Sequence, residues 1–248
     1  MGEADTSGDH SDIGEERKAQ FQENHRRVRQ RMHDAARRAG RDPAGVRLMA
    51  VTKTFPEAVV ETAWRGGITL FGENRVQEAE RKYAEWLGKL ELHLIGHLQR
   101  NKAKTASRIA GWVDSIDKIA TAEALNRAAS EQARTVNILL EYNSSGEESK
   151  FGVRGEEELL ELMESCSELT NLRVRGLMTL GPFTDDLPRI RRAFEQTRLL
   201  YEKAVSRFPD LPLDTLSMGM SGDFELAIEE GSTMIRVGSA LFGARPAA

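Results

Sequence analysis

Eight times from residue 46 onward, a short apolar run of strand character is followed by a segment with helical apolar spacing, and this order restricts the fold more than any other property of the chain. The series opens with Val46–Thr52 and a helix carrying Ala58, Val59, Ala63 and Trp64. Thr69–Phe71 precedes Val76, Ala79, Tyr83 and Leu87; Leu92–Ile95 precedes a basic helix starting near Arg100; Trp112–Ile116 precedes Ala122, Leu125 and Ala129. Val136–Tyr142 leads into a helix containing Cys166, and Arg173–Met178 into one with Ile190, Phe194, Thr197, Tyr201 and Val205. A short strand opening at Asp214 then precedes Phe224, Leu226, Ala227 and Ile228, and Thr233–Val237 is the last strand. Strict β-then-α alternation lays parallel strands side by side with helices across them. Connections are short and no Gly/Ser-rich linker or composition break divides the 248 residues, so a single α/β domain, a closed (β/α)8 TIM barrel, is expected rather than an open sheet or two small domains. An extra helix from about Glu15 to Ala39 precedes the barrel, residues 1–14 read as a disordered acidic tail, and residues 15–248 as the domain.

The formal net charge of −4 argues against the broad positive field of a dedicated nucleic-acid binder. The first helix is locally basic, with Arg26, Arg27, Arg29, Arg37 and Arg38, but Phe21, Val28, Met32 and Ala35 recur on its other side, the pattern of a solvated face over a packed one. No run is apolar enough to span a bilayer, and the polar, acidic start is unlike a secretory signal, so a cytoplasmic protein with no membrane partner is expected. The one cysteine, Cys166, lies on the apolar face of its helix and reads as a core thiol. With no obvious exposed apolar stripe, a monomer is expected.

Chemistry is suggested by Lys53, which closes the first strand and is followed at once by the helix-start pattern Thr54-Phe55-Pro56-Glu57. A partly desolvated lysine loses its proton readily, and its amine can condense with an aldehyde. Taken alone, the residue reads as a lysine that reaches out to water. At the other end of the chain, the turn from Ser217 to Asp223 and the turn Gly238-Ser239-Ala240 both offer backbone N–H groups to an anion, with Arg236 as a cation beside them. Barrel closure makes the first and last strands neighbours, which sets an imine-forming amine beside a phosphate cradle. On the residues alone, a Schiff-base aldolase acting on a sugar phosphate fits as well. His93 and His97 lie in a strand-to-loop segment where a spacing of four does not align ligands, and no metal site is expected.

Several motifs in this order resemble those of the pyridoxal-phosphate homeostasis proteins, whose barrel is like the amino-terminal domain of alanine racemases. They are Ala50-Val51-Thr52-Lys53, Phe71-Gly72-Glu73-Asn74-Arg75-Val76-Gln77-Glu78, His93-Leu94-Ile95-Gly96-His97-Leu98-Gln99-Arg100-Asn101-Lys102, Asn143 to Gly152, Gly176-Leu177-Met178-Thr179, Leu216 to Asp223, and Arg236 to Gly243. The resemblance implies that pyridoxal 5′-phosphate is held as a Schiff base on Lys53. It further implies Asn74 near the ring, Arg236 facing the pyridine nitrogen, and Ser217 with the backbone at Gly238 and Ser239 on the phosphate. Arg75 and Tyr142 depart from the family's usual aromatic and small aliphatic residues.

An arginine at the ring nitrogen disfavours a pyridinium and so weakens the cofactor as an electron sink. A racemase would also need a second base, which alanine racemases bring from a further domain; this chain stops at Ala248, after the last barrel strand. Tyr83 and Tyr201 fall in covering helices, and Tyr142 alternates with Asn143 and is expected to face outward. The expected function is therefore binding and buffering of pyridoxal phosphate in vitamin B6 homeostasis without robust catalysis, with apo-enzymes as recipients. The alternative is a weak amino-acid racemase.

Overall fold

The structure is a computed structural model and describes residues 8–148 and 150–244. Eight strands, β1 (Arg47–Val51), β2 (Leu70–Glu73), β3 (Glu91–Leu94), β4 (Trp112–Ile116), β5 (Val136–Tyr142), β6 (Leu172–Thr179), β7 (Thr215–Ser217) and β8 (Met234–Val237), pair in chain order and all in parallel. The sheet closes where β8 returns to β1, with Met49 opposite Arg236 and Ala50 opposite Val237. Between and after the strands run α2 (Ala58–Arg65), α3 (Val76–Lys82), α4 (Ala103–Ile109), α5 (Ile119–Glu131), α6 (Glu156–Ser167), α7 (Leu187–Arg207), α8 (Phe224–Glu229) and α9 (Ser239–Phe242), preceded by a long α1 (Gly8–Arg38). This is the (β/α)8 barrel with an added amino-terminal helix that the alternation predicts.

Strands buried on both faces need apolar residues in both registers. In β1, Leu48 and Ala50 face the helical layer, while Met49 and Val51 join Leu70, Trp112, Leu139, Met178 and Met234 in a second cluster that fills the barrel interior. The interior is thus packed rather than open. Toward the amino ends of the strands it becomes polar. His93, fully buried and stacked on Trp112, bonds through Nδ1 to Asp114 at 2.9 Å and through Nε2 to Glu91 at 3.0 Å, and Glu91 in turn accepts from Arg47 at 2.6 Å. Burial alone would lower the imidazole's pKa, but the two carboxylates outweigh it and raise it.

Three elements differ in extent from their sequence patterns. Helix α1 starts at Gly8 rather than near Glu15, so residues 8–14 of the expected tail are helical backbone, while residues 1–7 lie outside the described residues. The apolar stripe that marks this helix in the sequence begins only at Phe21, and helix beyond a packed stripe leaves no periodic signal. Helix α3 ends at Lys82, five residues before Leu87. Tyr83 leaves the helical conformation with its ring against Phe71 at 6.0 Å, a 3₁₀ turn covers Ala84–Trp86, and Leu87 is exposed. The basic helix near Arg100 opens as a 3₁₀ turn, Arg100–Lys102, before α4. Cys166 is a buried thiol in the helix-facing core, its pKa pushed up to about 12 by burial, as its position on α6 predicts.

Candidate functional site

A cavity of about 350 Å³ opens at the carboxyl ends of the strands, within the range of small-ligand sites. Val51, Lys53 and Phe55 come to it from the end of β1, Asn74 and Ile95 from β2 and β3, and Leu180 and Phe183 from the segment after β6. Met220, Ser221 and Gly222 follow β7, and Arg236, Gly238 and Ser239 close it from β8. The seam of the barrel therefore brings the opening lysine and the two closing turns to one wall.

Lys53 sits in a tight turn: the Phe55 N–H donates to the Thr52 carbonyl at 3.0 Å, and Thr54 adopts φ +68°. A β-branched residue in the left-handed region is strained, and such strain persists only where surrounding contacts hold it. Asn74 follows the last residue of β2, and its amide donates to Glu73 Oε1 at 3.0 Å. Arg236 is buried among fixed partners. Its guanidinium donates to Ser217 Oγ at 2.6 Å and to the Thr179 carbonyl at 2.7 Å. Burial lowers its pKa, and the carboxylates of Asp114, Asp223 and Glu141 oppose that effect. Glu141 is in turn pushed up to about 7, first by burial and then by Asp117, with Arg236 acting the other way.

The structure does not bring Ser217 to the cavity. As the last residue of β7 it points into the barrel beneath the mouth, fully buried, and its hydroxyl is taken by Arg236. Ser221 stands at the wall instead. Gly219, at φ +93°, turns the chain after β7, so that the amides of Gly238 and Ala240 both converge on Ser221 Oγ at 3.3 Å. A Cβ at Gly238 would lie 3.1 Å from the Val51 carbonyl, so this part of the wall has room for backbone and little more. Two N–H groups that meet on one hydroxyl at the wall, with a guanidinium nearby, form a cradle suited to an anion. The sequence contained the signal for Ser221, within the same Gly-punctuated turn, but not the depth at which each serine would sit. Phe183, almost fully exposed at the rim, carried no periodic signal at all.

None of the three tyrosines lines the cavity. Tyr83 is wholly buried behind β1 with its hydroxyl 2.5 Å from Thr52 Oγ1, and Tyr201 donates to the Leu213 carbonyl at 2.8 Å. Tyr142 packs against the helix-facing core, consistent with the alternation argument. His93 and His97 are apart in role: His93 is in the interior, while His97 stacks on Phe151 at the rim, 4.0 Å between ring centres.

Comparison with known proteins agrees with this architecture. The family described as "Alanine racemase, N-terminal domain" matches residues 18–246. The pyridoxal phosphate homeostasis protein of Pseudomonas aeruginosa is 44% identical over 225 residues, covering 90% of this chain and 95% of that one. The protein of the same name from Pasteurella multocida is 39% identical over 228 residues, covering 91% and 97%. Among solved structures, PipY of Synechococcus elongatus with pyridoxal phosphate bound superposes with a TM-score of 0.74 at 37% identity, covering 86% of this chain and all of that one. Alanine racemase from Streptomyces coelicolor, at 20% identity and a TM-score of 0.73, shares the fold. With a barrel closed in the same order and close relatives along nearly its whole length, the chain belongs to the pyridoxal phosphate homeostasis protein family, built on the alanine racemase amino-terminal domain.

Proposed function

We propose that this protein binds pyridoxal phosphate at the mouth of the barrel and serves its homeostasis by holding and releasing it, with apo-enzymes as recipients and without robust turnover. The observation that carries the reading is the shared wall: Lys53, Arg236, Ser221, Gly238 and Ser239 all line one cavity. The residues present fit the group. An aldehyde needs an amine, the phosphate needs convergent N–H and O–H donors, and the ring needs a slot of modest volume between apolar side chains such as Val51, Ile95 and Leu180. When bound, the cofactor would present an aldehyde, and Lys53 would hold it by imine chemistry, its amine displacing the carbonyl oxygen as water.

In this reading Ser221 and the amides of Gly238, Ser239 and Ala240 bind the phosphate, Asn74 lies beside the ring, and Arg236 faces the pyridine nitrogen. The role that the family resemblance implies for Ser217 passes to Ser221. Arg236 keeps its proton and so disfavours a protonated ring, which restrains carbanion chemistry. The tyrosine positions support the same conclusion, since none is placed to act as a second base on a bound amino acid. The test is borohydride reduction of the protein incubated with pyridoxal phosphate, followed by peptide mapping. A single label on Lys53, absent from Lys53→Ala, is expected; a label on another lysine overturns the assignment. Lys53-dependent α-deuterium exchange into common amino acids would instead establish a racemase-type catalyst.

A further inference from the structure

A buried charge cluster outside the barrel wall clamps the turn that carries Lys53. Lys82, 2% exposed at the end of α3, donates to Glu73 Oε2 at 2.8 Å, to Glu78 Oε1 at 2.7 Å and to the Thr52 carbonyl at 2.7 Å, which uses all three ammonium protons. Glu78 Oε1 also accepts the Thr54 amide at 2.9 Å. The other oxygen of fully buried Glu73 accepts the Asn74 amide, while its Oε2 accepts the Thr52 hydroxyl at 3.2 Å. Because Thr52 Oγ1 gives its proton to Glu73, the Tyr83 hydroxyl at 2.5 Å is the donor to Thr52. Every bond of the cluster toward β1 and β2 thus ends on a residue flanking Lys53 or on the backbone of Asn74.

Such an arrangement is expensive to bury unless its geometry is closely satisfied, and removal of one member leaves an unpaired buried charge. Hydrogen bonding alone does not explain why it surrounds this one turn. The conformation at Thr54 supplies a reason. Residue i+2 of a turn with positive φ is ordinarily glycine, and a threonine there tends to relax toward negative φ, which would redirect the side chain before it. The amide of that strained residue is the one captured by Glu78.

The geometry points to Glu78, Lys82 and Glu73 as positioning residues that hold the strained Thr52–Phe55 turn and thereby aim the Lys53 amine at the cofactor aldehyde. This rests on the proposed binding of pyridoxal phosphate. None of the three lines the cavity wall, so they act through Lys53 and Asn74 rather than by touching the ligand.

Glu78 is the member to change, because its side chain is 20% exposed and its loss strands less buried charge than loss of Lys82 or Glu73. In Glu78→Ala, the Thr54 amide should lose its protection against hydrogen exchange. Affinity for pyridoxal phosphate should fall roughly tenfold or more, the loss of one charge-assisted hydrogen bond. Affinity for pyridoxine phosphate, which carries the same ring and phosphate but an alcohol in place of the aldehyde, should hold within about twofold of wild type by the same reasoning, since no bond to it is removed. Glu78→Gln, which can still accept from Thr54, should recover most of the difference. Equal losses for the aldehyde and the alcohol, or a Thr54 amide protected as in wild type, would overturn the inference. The exchange measurement needs no cofactor, so it decides the clamp separately; failure of Lys53 labelling in wild type bears on the proposed function alone.

Discussion

Two serines four positions apart show how little sequence distance separates a cavity wall from the sealed interior. Ser217 and Ser221 lie in one turn motif, yet one is sealed beneath the mouth against Arg236 and the other faces the cavity with the Gly238 and Ala240 amides. Their substitutions should separate cleanly. Ser221→Ala should weaken pyridoxal phosphate by about tenfold, the loss of one hydrogen bond to a charged group, and leave unphosphorylated pyridoxal unchanged by calorimetry. Ser217→Ala should instead leave a buried guanidinium proton without its acceptor and cost about 1–3 kcal/mol of stability in denaturant unfolding. A phosphate-specific effect from Ser217→Ala would return that residue to the site. Lys53 and Arg236 were legible because a cation at the end of a buried strand is conspicuous in sequence. The Glu73–Lys82 pair was not, because in sequence Lys82 is one more lysine on a charged helix.

Helix α1 bears on the site through a chain of rings. Phe21 stacks on Phe242 of α9 at 5.7 Å, Phe242 meets Phe55 at 5.3 Å, and Asn24 donates to the Leu241 carbonyl at 3.0 Å. The short helix that carries the Ser239 and Ala240 amides is therefore braced by α1, which lies outside the β/α repeat, and Phe55 lies two residues from Lys53. Arg31–Glu225 and Arg38–Glu229 add contacts to α8 at 2.8 Å each, but these are partly exposed and contribute little individually. The packed ring should dominate. Phe21→Ala removes a side chain 4% exposed and is expected to cost about 3–5 kcal/mol, as a lowered denaturant midpoint with m unchanged. It should also weaken phosphate binding, because α9 loses its brace; full affinity in the folded variant would show that α9 holds its place without α1. The alternation of strands and helices made the barrel legible, whereas this brace was not, since apolar spacing shows that a helix packs but not on what.

At the scale of the whole molecule, the barrel encloses ionisable groups at both ends, and their opposing pKa changes shape its response to pH. Glu91, drawn down to about 2 by His93 and Arg47 against the effect of burial, gives stability that is present above the ordinary carboxylate range and lost as pH falls through about 2. Glu141 acts in the other direction. Burial and Asp117 push its folded pKa up to about 7 from 4.5, so the folded chain binds its proton more tightly than the unfolded chain does. That contribution is complete below about pH 4.5 and disappears as pH rises through 7, where the buried carboxyl must ionise. The raised pKa of His93 has the same sign, its proton being held more tightly in the folded state. Stability should therefore decline from mildly acid to mildly alkaline pH. Glu141→Gln, which keeps the shape and removes the ionisation, should match wild type near pH 4 and exceed it at pH 8 by on the order of 3 kcal/mol, since a tenfold change in proton affinity between the folded and unfolded chains corresponds to about 1.4 kcal/mol. A downward slope should persist in the variant from His93. Urea unfolding at both pH values measures this directly, and equal stabilities at pH 8 would mean that Glu141 ionises inside the barrel without penalty, with Arg236 compensating fully for its burial.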